Sequence, residues 1–324
     1  MSTVDSIKAP VKAEMEEFQH YFKSYLKSKA TLLNIIINYL LKQKGKQMRP
    51  LLIFLTARLN GEINESTYHA ASMIELMHTA SLVHDDVVDD SNMRRGFLSI
   101  NALWKNKIAV LLGDYLLAKG MLLAVHKEEF ELLKIVSKAV EEMSEGELIQ
   151  IEKARKLDID EATYFEIIRK KTAALMVACT SAGTYSVGVN GSSLEKMREF
   201  GEYLGMAFQI RDDLFDFDRS GIFGKPSGND IKERKMTLPF IHALNQCSSS
   251  EKNHIIRLMR KKNKSTQMVD EIMDFVKNHG GIEYARSVMD AYKQKALQIL
   301  TLFPQNDANL SLVQLVEYTT ERKK

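Results

Sequence analysis

The chain has 324 residues, 45% hydrophobic and 27% charged, a composition able to bury a sizeable core and unlike that of disordered chains. Its 45 Lys and Arg against 42 Asp and Glu leave a net charge of +3, too balanced to argue for a nucleic-acid partner. Residues 51–225 contain none of the five prolines, where average usage would place about nine, which argues for consecutive helices and against strand–turn folds.

In chain order, residues 1–30 read as an exposed, charged helical entry. A more apolar helix over 31–41 ends near Lys42-Gln43-Lys44-Gly45-Lys46; Gly45 suits a helix end and Pro50 the start of the next. That helix runs to about Leu59 and stops at Asn60-Gly61. A long helix follows from about Ser66 to Asp90, and Ser91-Asn92 with Gly96 mark a loop. Helices are then predicted over 98–106, 107–126, 128–154, 160–187, 193–218, 237–246, 250–261, 266–278 and 282–303, with breaks at Asn190-Gly191 and His279-Gly280-Gly281. The segment 219–236 holds three glycines and a proline and is the longest predicted loop, a common place for function. No linker or composition shift divides the chain, so a single domain over 1–324 is expected. Cys179 and Cys247 cannot form a disulfide framework. The N-terminus lacks an apolar signal core, and the apolar run at 32–41 is too short to span a bilayer. The expectation is a soluble cytoplasmic protein.

Paired aspartates occur twice. Asp85-Asp86-Val87-Val88-Asp89-Asp90 follows the apolar ramp from Ile74 to Val83, and Asp212-Asp213-Leu214-Phe215-Asp216 follows Met206 to Ile210. Asp85 with Asp89, and Asp212 with Asp216, share a helix face. Like charges ~6 Å apart at an effective dielectric of about 20 oppose the helix by roughly 3 kcal/mol per pair before screening, and the helix C-terminus disfavours anions further. One such cluster reads as a solvated acidic helix end. Two with the same spacing call for a compensating cation, and carboxylate-only sites suit Mg²⁺ sharing oxygens with a phosphate. Neither cluster has the spacing of an EF-hand loop.

Basic groups recur nearby: Lys46 and Arg49 after a helix end, Arg94 and Arg95 after the first cluster, Lys171 with Thr172, and Lys225, Lys232, Arg234 and Lys235 after the second. Each alone reads as a surface charge, and Arg94 and Arg95 also suit salt bridges to the aspartates. Together they suit two anionic groups, since Arg forks and Lys point charges both bind phosphate. No Walker or dinucleotide-binding glycine motif is present.

These residues carry a resemblance. HTASLVHDDVVDDSNMRRG at 78–96 and FQIRDDLFDF at 208–217 resemble the two aspartate-rich motifs of trans-polyprenyl diphosphate synthases. Gly45-Lys46-x-x-Arg49-Pro50, Gly113-Asp114, Gly146-Glu147-x-x-Gln150, Lys171-Thr172-Ala173 and GKPSGNDIKERKMTLP at 224–239 are similar to the family's other motifs, in order. The resemblance implies an all-α isoprenoid synthase fold, helices around a deep cavity with both aspartate motifs at its mouth, and a homodimer. The implied reaction condenses an allylic diphosphate, farnesyl or geranylgeranyl, with successive isopentenyl diphosphates. By the resemblance, Asp85, Asp86, Asp89, Asp212, Asp213 and Asp216 bind Mg²⁺, three ions per site. Arg94, Lys171, Thr172, Gln209, Lys225 and Lys235 contact the allylic substrate, and Lys46, Arg49, His78 and Arg95 bind isopentenyl diphosphate. Without the resemblance His78 reads as a core histidine. The family has Gly-Lys where this chain has Arg234-Lys235.

At 1.5 Å per residue, Ser81 and Ala80 lie about 6–8 Å below Asp85 on the same helix, with Met77, Ile74 and Met73 beyond. Short-chain members of the family place bulky aromatics there. The small residues imply a long product, with octaprenyl diphosphate for a quinone side chain as the central expectation and Leu132 and Val136 as floor candidates. A geranylgeranyl synthase or a terpene cyclase of the same fold is the alternative, and any membrane contact would be peripheral.

Overall fold

The structure, a computed structural model, describes residues 3–42, 45, 47–94, 96–218 and 228–321. Their helices are α1 (Thr3–Lys8), α2 (Lys12–Tyr25), α3 (Thr31–Lys42), α4 (Met48–Asn60), α5 (Glu65–Val88), α6 (Ile100–His126), α7 (Phe130–Lys156), α8 (Glu161–Ile168), α9 (Ala174–Ser186), α10 (Ser192–Phe215), α11 (Asn229–Lys232), α12 (Leu238–Gln246), α13 (Ser249–Arg260), α14 (Thr266–Asn278), α15 (Gly281–Leu300) and α16 (Asp307–Glu321). One small hairpin, β1 (Met93–Arg94) with β2 (Phe97–Leu98), lies between α5 and α6. Several helices start where side chains satisfy the orphan backbone donors. Asn64 and Thr67 form a reciprocal capping box on α5, Ser248 and Glu251 do so on α13, and Asp160 caps α8.

The chain divides into two compact units. One comprises Met1–Val140, Ala178–Arg198 and Phe303–Leu312, the other Glu141–Val177, Glu199–Leu302 and Val313–Lys324. The divisions after 140, 177, 198 and 312 fall inside α7, α9, α10 and α16, so no change of composition marks them. In the first unit α5 packs along α6. Leu76, Ala80 and Val83 meet Ala109, Leu112 and Leu116, together with Leu26, Ile36 and Ile37. In the second unit a core of Tyr164, Ile167, Ile210, Leu214, Phe240 and Ile272 joins α8, α10, α12 and α14.

The helix pattern read from sequence holds, with three corrections. The N-terminal segment is helical but not wholly exposed: Ile7, Val11, Met15 and Phe18 are buried, recurring every three to four residues. The break expected between helices 98–106 and 107–126 is present as a sharp kink at Lys105 (φ 70°, ψ 160°) within α6. Residues 160–187 form α8 and α9 joined by a π turn over Arg169–Ala173. Finally, α16 was not predicted, although its buried Ala308, Leu312, Leu315 and Val316 recur at helical spacing.

By length and composition α6 is apolar enough to cross a membrane. Its α5-facing side is buried, while Val110, Leu111, Met121, Leu122 and Val125 are exposed. Both cysteines are free thiols, Cys179 buried and Cys247 partly so.

Candidate active site

In the first unit the aspartate motif sits at the C-terminal end of α5. Successive helical residues point about 100° apart, so adjacent aspartates can face different environments. Asp85 and Asp89 are exposed, and Asp89, the residue after the helix, donates its N–H to the Asp85 carbonyl at 2.8 Å. Asp86 turns inward and is buried. Arg94 Nε donates to both its carboxylate oxygens at 2.8 and 2.9 Å, and Nη2 lies 2.7 Å from Oδ1. The hairpin that follows α5 brings Arg94 back to this point. Asn101 Nδ2 donates to the Asp86 carbonyl at 3.1 Å, tying α6 to the end of α5.

Beside this pair lies a pocket of about 500 Å³ lined by Gln47, Arg49, Glu75, His78, Asp86 and Arg94, with apolar walls from Phe18, Phe22 and Leu82. Arg49 and His78, both implied for isopentenyl diphosphate, are thus brought together with the first aspartate motif. Gln47, in a left-handed conformation (φ 54°) at the start of α4, accepts from Gln19 Nε2 at 3.3 Å. Lys46 and Arg95 lie outside the described residues. Ala80 and Met77 are buried in the interior and Ser81 is half-buried; none of the three lines this pocket. Leu132 and Val136 on α7 are buried.

In the second unit the aspartate motif ends α10. Asp212 is exposed and Asp213 buried. The Tyr164 hydroxyl donates to Asp213 Oδ2 at 2.6 Å, and Gln209 Nε2 donates to Oδ1 at 2.8 Å. Thr172 Oγ1 donates in turn to Gln209 Oε1 at 2.7 Å. Burial pushes the Asp213 carboxyl up to about 7, against the lowering effect of these two donors. Asp216 lies just past the helix and caps α11: Asn229 and Asp230 donate their N–H groups to its two oxygens at 2.7 and 3.0 Å. Burial, and then the nearby Asp230, raise the Asp216 pKa.

Lys171 and Thr172, inside the single helix predicted over 160–187, sit in the π turn between α8 and α9, an irregularity often found at functional sites. A Cβ on Gly146 would lie 2.9 Å from Lys170 Cβ, and one on Gly205 would lie 2.5 Å from Ala173 Cα. Glycine at both positions therefore lets α7 and α10 close on the turn. Lys171 pairs with Glu147 and donates to Gln150 Oε1 at 3.2 Å, which gives the Gly146-Glu147-x-x-Gln150 motif its physical role.

Lys235 Nζ pairs with Glu233 at 2.7 Å and Asp230 at 3.3 Å. Burial works against its charge, but those carboxylates outweigh it and hold the pKa above the usual lysine value. Arg234 adopts a left-handed backbone (φ 61°), the conformation in which glycine is favoured; this is the position where the resembled family carries Gly. Lys225 lies outside the described residues.

Asp86 and Asp213 direct their carboxylates at protein donors, and both Asp216 oxygens accept from backbone N–H groups. Of these six aspartates, Asp85, Asp89 and Asp212 are the exposed ones. Among the described residues no group of three His, Cys, Asp or Glu side chains is arranged to hold a metal ion. Hard, exposed carboxylates in ones and twos fit Mg²⁺, which takes one or two such ligands and fills its shell with water and substrate phosphate. Tyr164 and Asp230 escaped the sequence reading. Tyr164 lies seven residues before Lys171, two helical turns along one face, which was the available signal.

Helices throughout, with an aspartate-rich motif closing each of two long helices, are the architecture of the isoprenoid synthase fold. Residues 30–276 match the family model described as Polyprenyl synthetase, and the chain belongs to that family. It is 33% identical over 318 residues to an all-trans-nonaprenyl-diphosphate synthase (geranyl-diphosphate specific) of Rhodobacter capsulatus, covering 98% of this chain and 97% of that one. A geranylgeranyl pyrophosphate synthase of Bacteroides thetaiotaomicron has a similar structure, with TM-score 0.84 and 37% identity over 99% of this chain and 100% of that one. So has a polyprenyl synthase of Caulobacter crescentus complexed with calcium and isoprenyl diphosphate, with TM-score 0.89 and 31% identity over 99% and 98%. The chain is a prenyltransferase of the polyprenyl diphosphate synthase class, whose substrates are allylic and isopentenyl diphosphates.

Proposed function

We propose that this chain is a Mg²⁺-dependent synthase that extends farnesyl or geranylgeranyl diphosphate to octaprenyl diphosphate, for quinone side chains. The observation that carries the metal reading is the repeated arrangement of an exposed aspartate beside a buried one anchored by protein donors. Asp85, Asp89 and Asp212 hold Mg²⁺, while Asp86, Asp213 and Asp216 orient them. When bound, the metal offsets the negative charge that develops on the departing diphosphate. Lys171, aimed by Glu147 and Gln150, and Lys235 are the cations for a diphosphate at the second motif, and Arg94 is a phosphate donor at the first. The pocket around Arg49 and His78 positions isopentenyl diphosphate for attack. Its apolar walls keep water from the reacting carbons. No side chain is required as base, because an oxygen of the released diphosphate accepts the proton.

The small residues Ala80 and Ser81 support the long product. The 37% identity to a geranylgeranyl synthase, and the burial of Ala80 against α6, support the shorter-chain alternative. Purified full-length protein given farnesyl diphosphate, isopentenyl diphosphate and Mg²⁺ is expected to yield mainly eight-unit diphosphate by mass spectrometry. Predominance of four units would establish the geranylgeranyl reading, and product formed without isopentenyl diphosphate would establish a cyclase.

The whole chain acts as one functional domain in the cytoplasm, as a homodimer. The exposed apolar face of α6 supports the dimer, since a second copy would cover it. Sedimentation equilibrium is expected to give twice the chain mass, and a monomer that still turns over at nanomolar concentration would refute it.

A further inference from the structure

Four side chains in the second unit form one hydrogen-bonded run. Thr172 donates to Gln209, Gln209 donates to one oxygen of Asp213, and Tyr164 donates to the other. The run starts in the π turn beside Lys171 and passes through the second aspartate motif. It ends at a tyrosine that is itself buried, its ring edge-on to Phe165 at 5.5 Å. A tyrosine hydroxyl has one proton to give, and here it goes to Asp213. Without that donor, a buried carboxylate oxygen would face apolar neighbours such as Ile210 and Leu214. Asp213 would then be held by Gln209 alone, and the end of α10 would lose its tie to α8.

We propose that Tyr164 is a positioning residue for the diphosphate–metal site: through Asp213 it fixes Gln209 and the adjacent Asp212 in the arrangement that receives Mg²⁺ and diphosphate. Tyr164 is buried and acts through Asp213. Its contribution is to hold the carboxylate whose orientation sets its neighbours, the role outer-shell partners play at metal sites generally, where their loss costs 10–100-fold in affinity. The aspartate dyad thereby divides its labour, Asp212 facing outward and Asp213 serving as the acceptor that joins α8 to α10. The inference rests on the reading that Asp212 takes Mg²⁺.

The test is calorimetric titration of the full-length protein with Mg²⁺ and inorganic diphosphate, which needs no turnover, alongside the Mg²⁺ dependence of kcat. Tyr164→Phe keeps the ring and removes only the hydroxyl; its dissociation constant is expected to rise 10–100-fold, with saturation in kcat shifted to higher Mg²⁺. Asp213→Asn still accepts from Tyr164, and its amide can donate to a turned Gln209. It is expected to bind at least tenfold more tightly than Asp212→Asn. Tyr164→Phe binding within twofold of wild type, while Asp212→Asn loses binding, would overturn the inference alone. Equal loss in Asp212→Asn and Asp213→Asn would also overturn it. Wild-type and Asp212→Asn proteins binding alike would remove the Mg²⁺ reading and this inference with it.

Discussion

Arg94 holds Asp86 by three close approaches, Nε at 2.8 and 2.9 Å from its two oxygens and Nη2 at 2.7 Å from Oδ1. The arginine is more than a quarter exposed while the aspartate is almost fully buried, so the pair reaches from the interior to the edge of the pocket. A cation in that position can keep Asp86 fixed and still present its outer N–H groups to a phosphate.

The two aspartates of this motif should therefore respond differently to loss of charge. Asp86→Asn breaks a largely buried pair and is expected to cost about 2 kcal/mol of stability in urea denaturation, with activity falling about tenfold. Asp85→Asn should leave stability nearly unchanged and lower kcat by about 100-fold. Equal effects on stability would show that burial does not separate their roles.

Gly205 is expected to tolerate no side chain. Its would-be Cβ falls 2.5 Å from the Cα of Ala173, a backbone atom that cannot swing aside. Gly205→Ala should destabilise the protein by about 2 kcal/mol through overpacking. It should also reduce kcat, because the strain falls on the turn that carries Lys171 and Thr172. Chemical denaturation and steady-state kinetics on one preparation check both.

Arg234 points the other way. A non-glycine residue held in the left-handed region carries about 1 kcal/mol of strain, and Arg234 adopts that conformation. Arg234→Gly is expected to raise the denaturation midpoint by the equivalent of roughly 0.5–1 kcal/mol, less whatever entropy glycine adds to the unfolded chain. A lower midpoint would mean that the side chain contributes packing.

Ala80→Phe tests the chain-length reading and its cost together. Ala80 is fully buried among Leu76, Ala109 and Leu112, so the larger ring is expected to cost about 2 kcal/mol. Product length should fall to three or four isoprene units by mass spectrometry. A folded variant that still makes the wild-type product would separate Ala80 from the cavity wall.

Thiol labelling should distinguish the two cysteines across pH. Burial pushes the Cys179 thiol up to about 12, so at pH 9 only about one molecule in a thousand carries its thiolate, the reactive form. Cys247 is raised less, by partial burial and the nearby Glu251, and is partly exposed. Native protein is expected to react at one thiol at pH 8–9, and denatured protein at two.

Much of the fold was legible because helix formation is local. Capping residues such as Asn64, Asp160 and Ser248 stand in the sequence beside the helices they start. The kink at Lys105 was anticipated only as a break between helices. α16 was missed although its apolar spacing was readable. The π turn at Arg169–Ala173 was not legible, because it depends on Gly146 and Gly205, more than twenty residues away on either side.

The two aspartate motifs show where the sequence stops. Spacing of four residues set Asp85 with Asp89 and Asp212 with Asp216 on a helical turn, and carboxylate chemistry pointed to a hard cation. Both conclusions need only the pitch of a helix and the charge of a side chain. Which member of each adjacent pair faces outward depends on donors brought in from elsewhere. Asp86 is claimed by Arg94, returned by a hairpin, and Asp213 by Tyr164, forty-nine residues earlier. Neighbouring helical residues diverge by about 100°, so packing can bury one and expose the other, and tertiary structure alone supplies the partner that makes burial of a carboxylate tolerable.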